Sequence, residues 1–294
     1  MAWTRNLKRY MSGEDVREVK DRLVELGYLA KATHNRYGDD TYRAVHAFQG
    51  ANNLEVDGVV GPLTYHALFA DRPEPVVPVP EWISEPARTE IARALAGTSA
   101  KRREICLLAL QYAVDYNMNP SRLKGFYIRG GNLYNKDLSV NVMTKAKLDS
   151  YFRRSSYEPY YDGGRKEMML RQAKESNYTI VGADCSGMIV GLWKAARVVS
   201  SGFDATADNL YKNYCVPRKV ADLQPGDLCH RSGHIGLVVC GLSTSSCGGW
   251  CIEDGGGAYG IQCNKRKDRR LKNFVSGKVT KMSGWQHYGD PKVY

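Results

Sequence analysis

Asp184-Cys185-Ser186-Gly187 opens onto MIVGLWKAARVV (188–199), a run that is apolar on almost every face. Such a run predicts a helix buried inside a domain. A cysteine in the first turn of that helix meets unpaired backbone N–H groups and the positive end of the dipole, and both favour the thiolate. About fifty residues on, Gly233-His234-Ile235-Gly236-Leu237-Val238-Val239 reads as a buried strand with a histidine at its mouth. Trp250-Cys251-Ile252-Glu253 reads as a second short strand, whose glutamate offers a partner to orient that histidine. A thiol, a base and an orienter are the parts of a cysteine nucleophile system.

Rivals surround each of the three. Cys106, Cys215, Cys229, Cys240, Cys247, Cys251 and Cys263 are the other cysteines, and a cysteine is commonly just a small buried hydrophobe. Only Cys185 combines a helix start with a histidine at a suitable place downstream. His230 lies close to His234, but Gly233 and Gly236 leave room around His234. Asp254 competes with Glu253 as the orienter. The spacing of Cys240, Cys247, Cys251 and Cys263 matches no common zinc site.

At 294 residues, 43% hydrophobic and 25% charged, the composition is that of an ordinary globular protein. No stretch approaches the roughly 20 apolar residues of a membrane span, which argues against membrane insertion. The first sixteen residues lack the apolar core of a secretory signal, so synthesis in the cytoplasm with reduced cysteines is expected. Residues 1–70 carry nine Lys/Arg and nine Asp/Glu, so the net +11 lies wholly beyond them. The densest basic run, 265–270 (KRKDRR), reads as a solvated face able to meet a polyanion.

Five of the eleven prolines fall in 71–86, which predicts a stiff linker between two parts. Before it, Ser12-x-x-Asp15 reads as a helix start, with Val16, Val19, Leu23 and Leu26 on one face and Gly27 as the stop. Thr41, Ala44, Val45 and Phe48 form a second apolar face. Pro62 suits the first turn of a third helix carrying Tyr65, Leu68 and Phe69.

Two resemblances follow from these words. Gly13-Glu14-Asp15-Val16, Leu26-Gly27-Tyr28, Thr41, Ala44-Val45, Phe48-Gln49 and Asp57-Gly58-Val59-Val60-Gly61-Pro62 resemble the peptidoglycan-binding domain family, with Lys20 standing where glutamine is usual. That resemblance implies wall binding by 1–70, with Asp57, Gly58 and Tyr65 as candidate binding residues. Asp184-Cys185-Ser186-Gly187, Pro225-Gly226-Asp227-Leu228, His234-Ile235-Gly236 and Ile252-Glu253, with Ala207–Tyr211 before them, resemble the NlpC-type papain-like cell-wall cysteine peptidases. Glu253 departs from the family's more frequent histidine.

The second resemblance implies an α+β fold over 87–294, a helix packed on an antiparallel sheet, with a small three-helix all-α domain before it. It implies Cys185 as nucleophile, His234 as base and Glu253 as orienter, with no metal or other cofactor. The family often places an oxyanion-binding tyrosine in a Tyr-x-x-Gly-Gly block. Tyr127 heads one such block and Tyr160 another; Tyr127 is favoured because it follows a predicted helix over 103–116. The expected activity is hydrolysis of peptidoglycan stem peptides at the γ-D-glutamyl–diamino acid bond. The alternatives are an N-acetylmuramoyl-L-alanine amidase and a non-catalytic wall binder. The expected partners are peptidoglycan and anionic wall polymers rather than nucleic acid. A monomer released to the wall in a phage or prophage lysis setting completes the expectation.

Overall fold

The computed structural model describes residues 5–70, 77–115, 123–175, 179–241 and 248–294. Contacts divide the chain into two compact units, 1–76 with 96–99, and 77–95 with 100–294.

The first unit is built on three helices: α1 (Glu14–Glu25), α2 (Asp39–Ala51) and α3 (Pro62–Leu68). Val16, Val19 and Leu23 of α1 meet Ala44, Val45 and Phe48 of α2 and Leu68 of α3 in one core, which is the apolar stripe expected from the sequence. Gly27, with φ 78°, lies just past the end of α1. The helix start differs from expectation, since Gly13 occupies the N-cap and no side chain caps it. Asp15 is instead paired with Arg5 at 2.7 Å. Lys20 is buried because its ammonium donates to the Arg36 carbonyl at 3.2 Å and lies 3.3 Å from His34 Nδ1.

The candidate wall-binding residues are committed inside this unit. Asp57 Oδ1 accepts from Gln49 Nε2 and from the Val59 N–H, both at 2.8 Å. Gly58 donates its N–H to Gln49 Oε1 and accepts from the Tyr37 hydroxyl. Tyr65 is buried, with its hydroxyl 3.0 Å from Glu18. These contacts brace the turn before α3 and give the motif a folding role, while Asp57 itself remains exposed.

The second unit begins at Val77, about ten residues before the point that composition marks. Ile83 is fully buried, Trp82 Nε1 donates to the Leu110 carbonyl, and the Ser84 N–H donates to Asp115. The second part of the proline-rich segment is thus packed, while 71–76 lie outside the described residues. Helices α4 (Ala87–Ala96) and α5 (Ala100–Leu110) lead into strand β1 (Val114–Asp115). The helix expected over 103–116 therefore ends at Leu110, and Tyr116 lies outside the described residues.

An insertion then supplies β2 (Gly125–Tyr127), α6 (Lys145–Phe152), α7 (Glu158–Tyr161), α8 (Arg165–Glu175) and β3 (Val181–Ala183). Helices α9 (Cys185–Ala195) and α10 (Ala207–Tyr214) follow. Then come β4 (Cys215–Pro217), β5 (Leu228–Arg231), β6 (His234–Cys240), β7 (Trp250–Asp254) and β8 (Ile261–Lys265). The last elements are β9 (Arg270–Lys272), β10 (Val279–Lys281) and β11 (His287–Pro291). The main sheet has the order β1-β8-β7-β6-β5-β11-β4, antiparallel except for the β1–β8 pair. Helix α9 packs on β6 and β7, and β2 pairs in parallel with β3.

Asp227 of the Pro225–Leu228 motif ties this unit together. Its buried carboxylate accepts from Arg102 of α5 at 2.9 Å and faces Arg218 at 3.4 Å. Both arginines also bond Asp290 of β11. Among the described residues, no helix is long and apolar enough to cross a membrane.

Candidate active site

Asp184 caps α9. Its Oδ1 accepts from the Gly187 N–H at 2.7 Å and from the Ser186 hydroxyl at 2.9 Å, while Oδ2 accepts from the Gly130 N–H at 2.9 Å. The first Tyr-x-x-Gly-Gly block is thereby fixed to the start of the helix. Position 187 must be glycine, because a Cβ there would lie 1.9 Å from the Gly131 carbonyl oxygen. Register does the rest: Tyr127 pairs with Ala183, one residue before the cap. The two blocks of sequence, some fifty residues apart, form one layer at the mouth of α9.

The Cys185 sulfur lies 3.9 Å from the Gly233 carbonyl, and the Ile235 N–H also faces it. The thiol is seated against the two peptide groups that flank His234. His234 is half-buried, and its Nε2 is 2.7 Å from Glu253 Oε2, which leaves Nδ1 as the nitrogen available to a thiol. The ring lies flat on Trp285 at 5.4 Å, and Gly236 makes room for that indole.

Glu253 is fully buried and is surrounded by donors. Arg269 grips it through Nε to Oε1 at 2.6 Å and Nη2 to Oε2, and Asn264 Nδ2 donates to Oε1 at 3.0 Å. Burial alone would push the carboxyl up, but the bonds from Arg269 and His234 overcome it and hold Glu253 at about 2. Arg269 also stacks over Trp285 at 4.5 Å and donates to the Ser283 carbonyl. The basic run 265–270 is therefore divided. Arg266 and Arg269 are buried, whereas Arg270 pairs with Asp268 at the surface, so the reading of the whole run as a solvated face is corrected.

Burial pushes the Cys185 thiol up to about 12, Asp184 adds to the rise, and the N–H groups of Ile235 and Ser186 oppose it. Desolvation thus opposes the thiolate that the helix start favours.

Tyr127 is raised by burial and then by the neighbouring Cys185, which places its hydroxyl in the electrostatic reach of the thiol. Tyr160 stacks on Tyr127 at 5.8 Å, and its hydroxyl accepts from Arg129 at 2.8 Å. His230 is engaged elsewhere: Nε2 lies 2.7 Å from Asp208, and the ring stacks on Tyr211 at 4.7 Å. Asp208 also accepts from the Gly233 N–H at 3.0 Å, which gives the Ala207–Tyr211 motif a bracing role on the turn before His234. Asp254 does not touch His234; it is fully buried, and no side chain donates to either carboxylate oxygen.

Six other cysteines, 106, 215, 229, 240, 251 and 263, are buried, and Cys247 lies outside the described residues. Among the described residues, no three His, Cys, Asp or Glu side chains are grouped to hold a metal ion.

Residues 12–68 match the family described as "Putative peptidoglycan binding domain". The chain is 31% identical over 124 residues to a Bacillus licheniformis protein named "Probable N-acetylmuramoyl-L-alanine amidase", covering 41% of this chain and 35% of that one. It is 29% identical over 129 residues to the N-acetylmuramoyl-L-alanine amidase CwlL of the same organism, covering 41% and 36%. It is 32% identical over 81 residues to the zinc D-Ala-D-Ala carboxypeptidase of Streptomyces albus G, covering 26% and 31%. The chain spans about a third of the length of these relatives. No solved structure matches. The chain thus has a peptidoglycan-binding domain at its N-terminus and is related in sequence to cell-wall amidases.

Proposed function

We propose that this protein is a peptidoglycan hydrolase that cuts stem peptides with a papain-like cysteine nucleophile. The observation that carries the reading is the Cys185 thiol seated against the peptides on either side of His234, with that ring anchored at Nε2 by a buried glutamate. His234 Nδ1 takes the thiol proton as the sulfur attacks the scissile carbonyl carbon. Glu253, held as an anion, stabilises the imidazolium that forms. The oxyanion is met by the Cys185 backbone N–H, which the helix leaves unpaired, and by the Tyr127 hydroxyl. The imidazolium then protonates the leaving amine. A water molecule, deprotonated by the same ring, cleaves the thioester and restores the thiol.

The preferred bond is the one between γ-D-glutamate and the diamino acid, which is what the family resemblance implies. A second reading, cleavage of the N-acetylmuramoyl–L-alanine amide, is favoured by the names of two relatives. The 12–68 domain supports binding to the wall itself. Action on the wall after release from the cell in which it is made, as in a phage or prophage lysis setting, belongs to the same proposal.

Digestion of purified peptidoglycan, with identification of the new termini, tests both readings. New amino termini on the diamino acid support the endopeptidase. Free L-alanine amino termini support the amidase. Protein that binds the wall and releases no fragments refutes hydrolysis.

A further inference from the structure

Asp254 is fully buried and ends β7, one residue beyond Glu253. Alternation along the strand sends the two acids to opposite faces. Glu253 shares the face of its partner Gly236, whereas Asp254 lies on the side of Ile252 and Leu237, toward α9. β2 crosses this end of the sheet, because Gly125 lets its backbone come against Ile261, the β8 partner of Asp254. Asp254 therefore lies where β2, β7 and the mouth of α9 meet, beneath Tyr127, Asp184 and Cys185.

No side chain donates to either oxygen of Asp254, and the one donor near it is the Gly256 N–H. The groups that act on it are Asp184 before α9, Glu253 on its own strand and the Gly256 N–H, with Cys185 and Tyr127 close by; none of these is a cation. β8 places the apolar Ile261 opposite Asp254. An ionised carboxylate here would be a buried anion beside a capping carboxylate that already spends its lone pairs on Gly187, Ser186 and Gly130. Full burial keeps an incoming substrate cation from reaching it.

We propose that Asp254 is a further positioning residue of this site: it carries a proton in the resting protein, and by staying neutral it keeps a second negative charge away from the Cys185 sulfur as the thiolate forms. Burial and the Asp184 charge both push its carboxyl well above the usual range, in keeping with this assignment. The proposal rests on Cys185 being the nucleophile. Loss of the Asp254 proton at high pH would oppose the thiolate and close the site.

The test uses the full chain, labelled with carbon-13 at the aspartate carboxyl carbons, and the variant D254N. In the wild type, one aspartate signal is expected to keep the position of a protonated acid at about pH 7, far above the ~3.9 of a free aspartate, and to vanish in D254N. Iodoacetamide alkylation of Cys185, followed by peptide mapping, should agree within about twofold between wild type and D254N at that pH. At higher pH the wild type should fall behind D254N, and its hydrolysis should fail at lower pH than that of D254N. If no protonated aspartate signal exists at about pH 7, the proposal is overturned. It is also overturned if D254N alkylates several-fold faster there, because one unit in thiol pKa is tenfold in thiolate. Should D254N fail to fold, the wild-type carboxyl titration decides alone. Failure of the hydrolase reading would instead appear as hydrolysis that survives in C185A, whatever the carboxyl signal does.

Discussion

Glu253→Gln is a demanding perturbation for this architecture. A glutamine oxygen can still accept from His234, so on sequence grounds the change is mild. The geometry says otherwise. Each carboxylate oxygen accepts two bonds, Oε1 from Arg269 and Asn264, Oε2 from Arg269 and His234. An amide has one acceptor oxygen and one NH2 group, so either orientation turns donors toward donors. Arg269, only 3% exposed, also loses its counter-ion. Removing one partner of a buried ion pair costs about 3–5 kcal/mol. A second route gives a similar size: Glu253 sits at about 2, roughly two units under the ~4.3 of a free glutamate, or about 3 kcal/mol.

For a unit of this size, about 2–4 °C per kcal/mol gives a fall in melting temperature of roughly 6–20 °C. Tryptophan fluorescence is a suitable probe, since Trp82, Trp193, Trp250 and Trp285 are four of the five indoles and all lie beyond residue 76. The double variant Glu253→Gln/Arg269→Met should recover much of the loss, because a buried pair replaced by neutral side chains is often tolerated. A melt within about 1 °C of wild type for Glu253→Gln alone, a few tenths of a kcal/mol, would refute the assignment of Arg269 as the clamp.

Cys185→Ala should abolish hydrolysis of peptidoglycan while leaving the melting curve within about 2 °C, read by fragment release and fluorescence. Tyr127→Phe should lower kcat about tenfold or more through the lost oxyanion donor, and Tyr160→Phe by less than about threefold, measured on soluble stem peptides. Asp254→Asn should melt higher than wild type at neutral pH. A carboxyl raised by folding contributes stability below its unfolded pKa of ~3.9 and loses it as pH rises, so the difference should vanish in acid. Residues 1–76 should retain binding to insoluble wall when expressed alone, tested by co-sedimentation.

Motif order made α9, β6 and β7 legible, because a capped cysteine and a histidine between glycines are local features. The three helices of the first unit were legible for the same reason, each having an apolar stripe of its own. Arg269 was not, because a Lys/Arg run is read by composition, whereas its burial depends on Glu253 sixteen residues earlier. A signal did exist: Arg269 alternates with the fully buried Leu271, while Asp268 and Arg270 pair outside. At Cys185 the helix start that favours a thiolate is visible in sequence, whereas the desolvation that opposes it is not. The packed residues 77–86 were hidden by their prolines, which mark stiffness without saying whether the segment is covered.

The two neighbouring acids of β7 show how register alone assigns chemical roles. Glu253 faces the Arg269 guanidinium, an amide and the His234 ring, so it stays an anion and supports the histidine that must become positive. Asp254 faces the thiol side, where no cation or side-chain donor meets it and only the Gly256 N–H is near, so negative charge there would oppose the thiolate. A one-residue slip of β7 would exchange the two acids and invert both effects. The pairing is fixed on both flanks, by Glu253 against Gly236 on β6 and by Glu253 against Gln262 on β8. An irregularity between Val238 and Cys240 takes up the mismatch at the far end of the β6–β7 pair, away from the site. The register that seats Trp250 in the core is thus the same register that keeps the negative charge behind His234 and away from the sulfur.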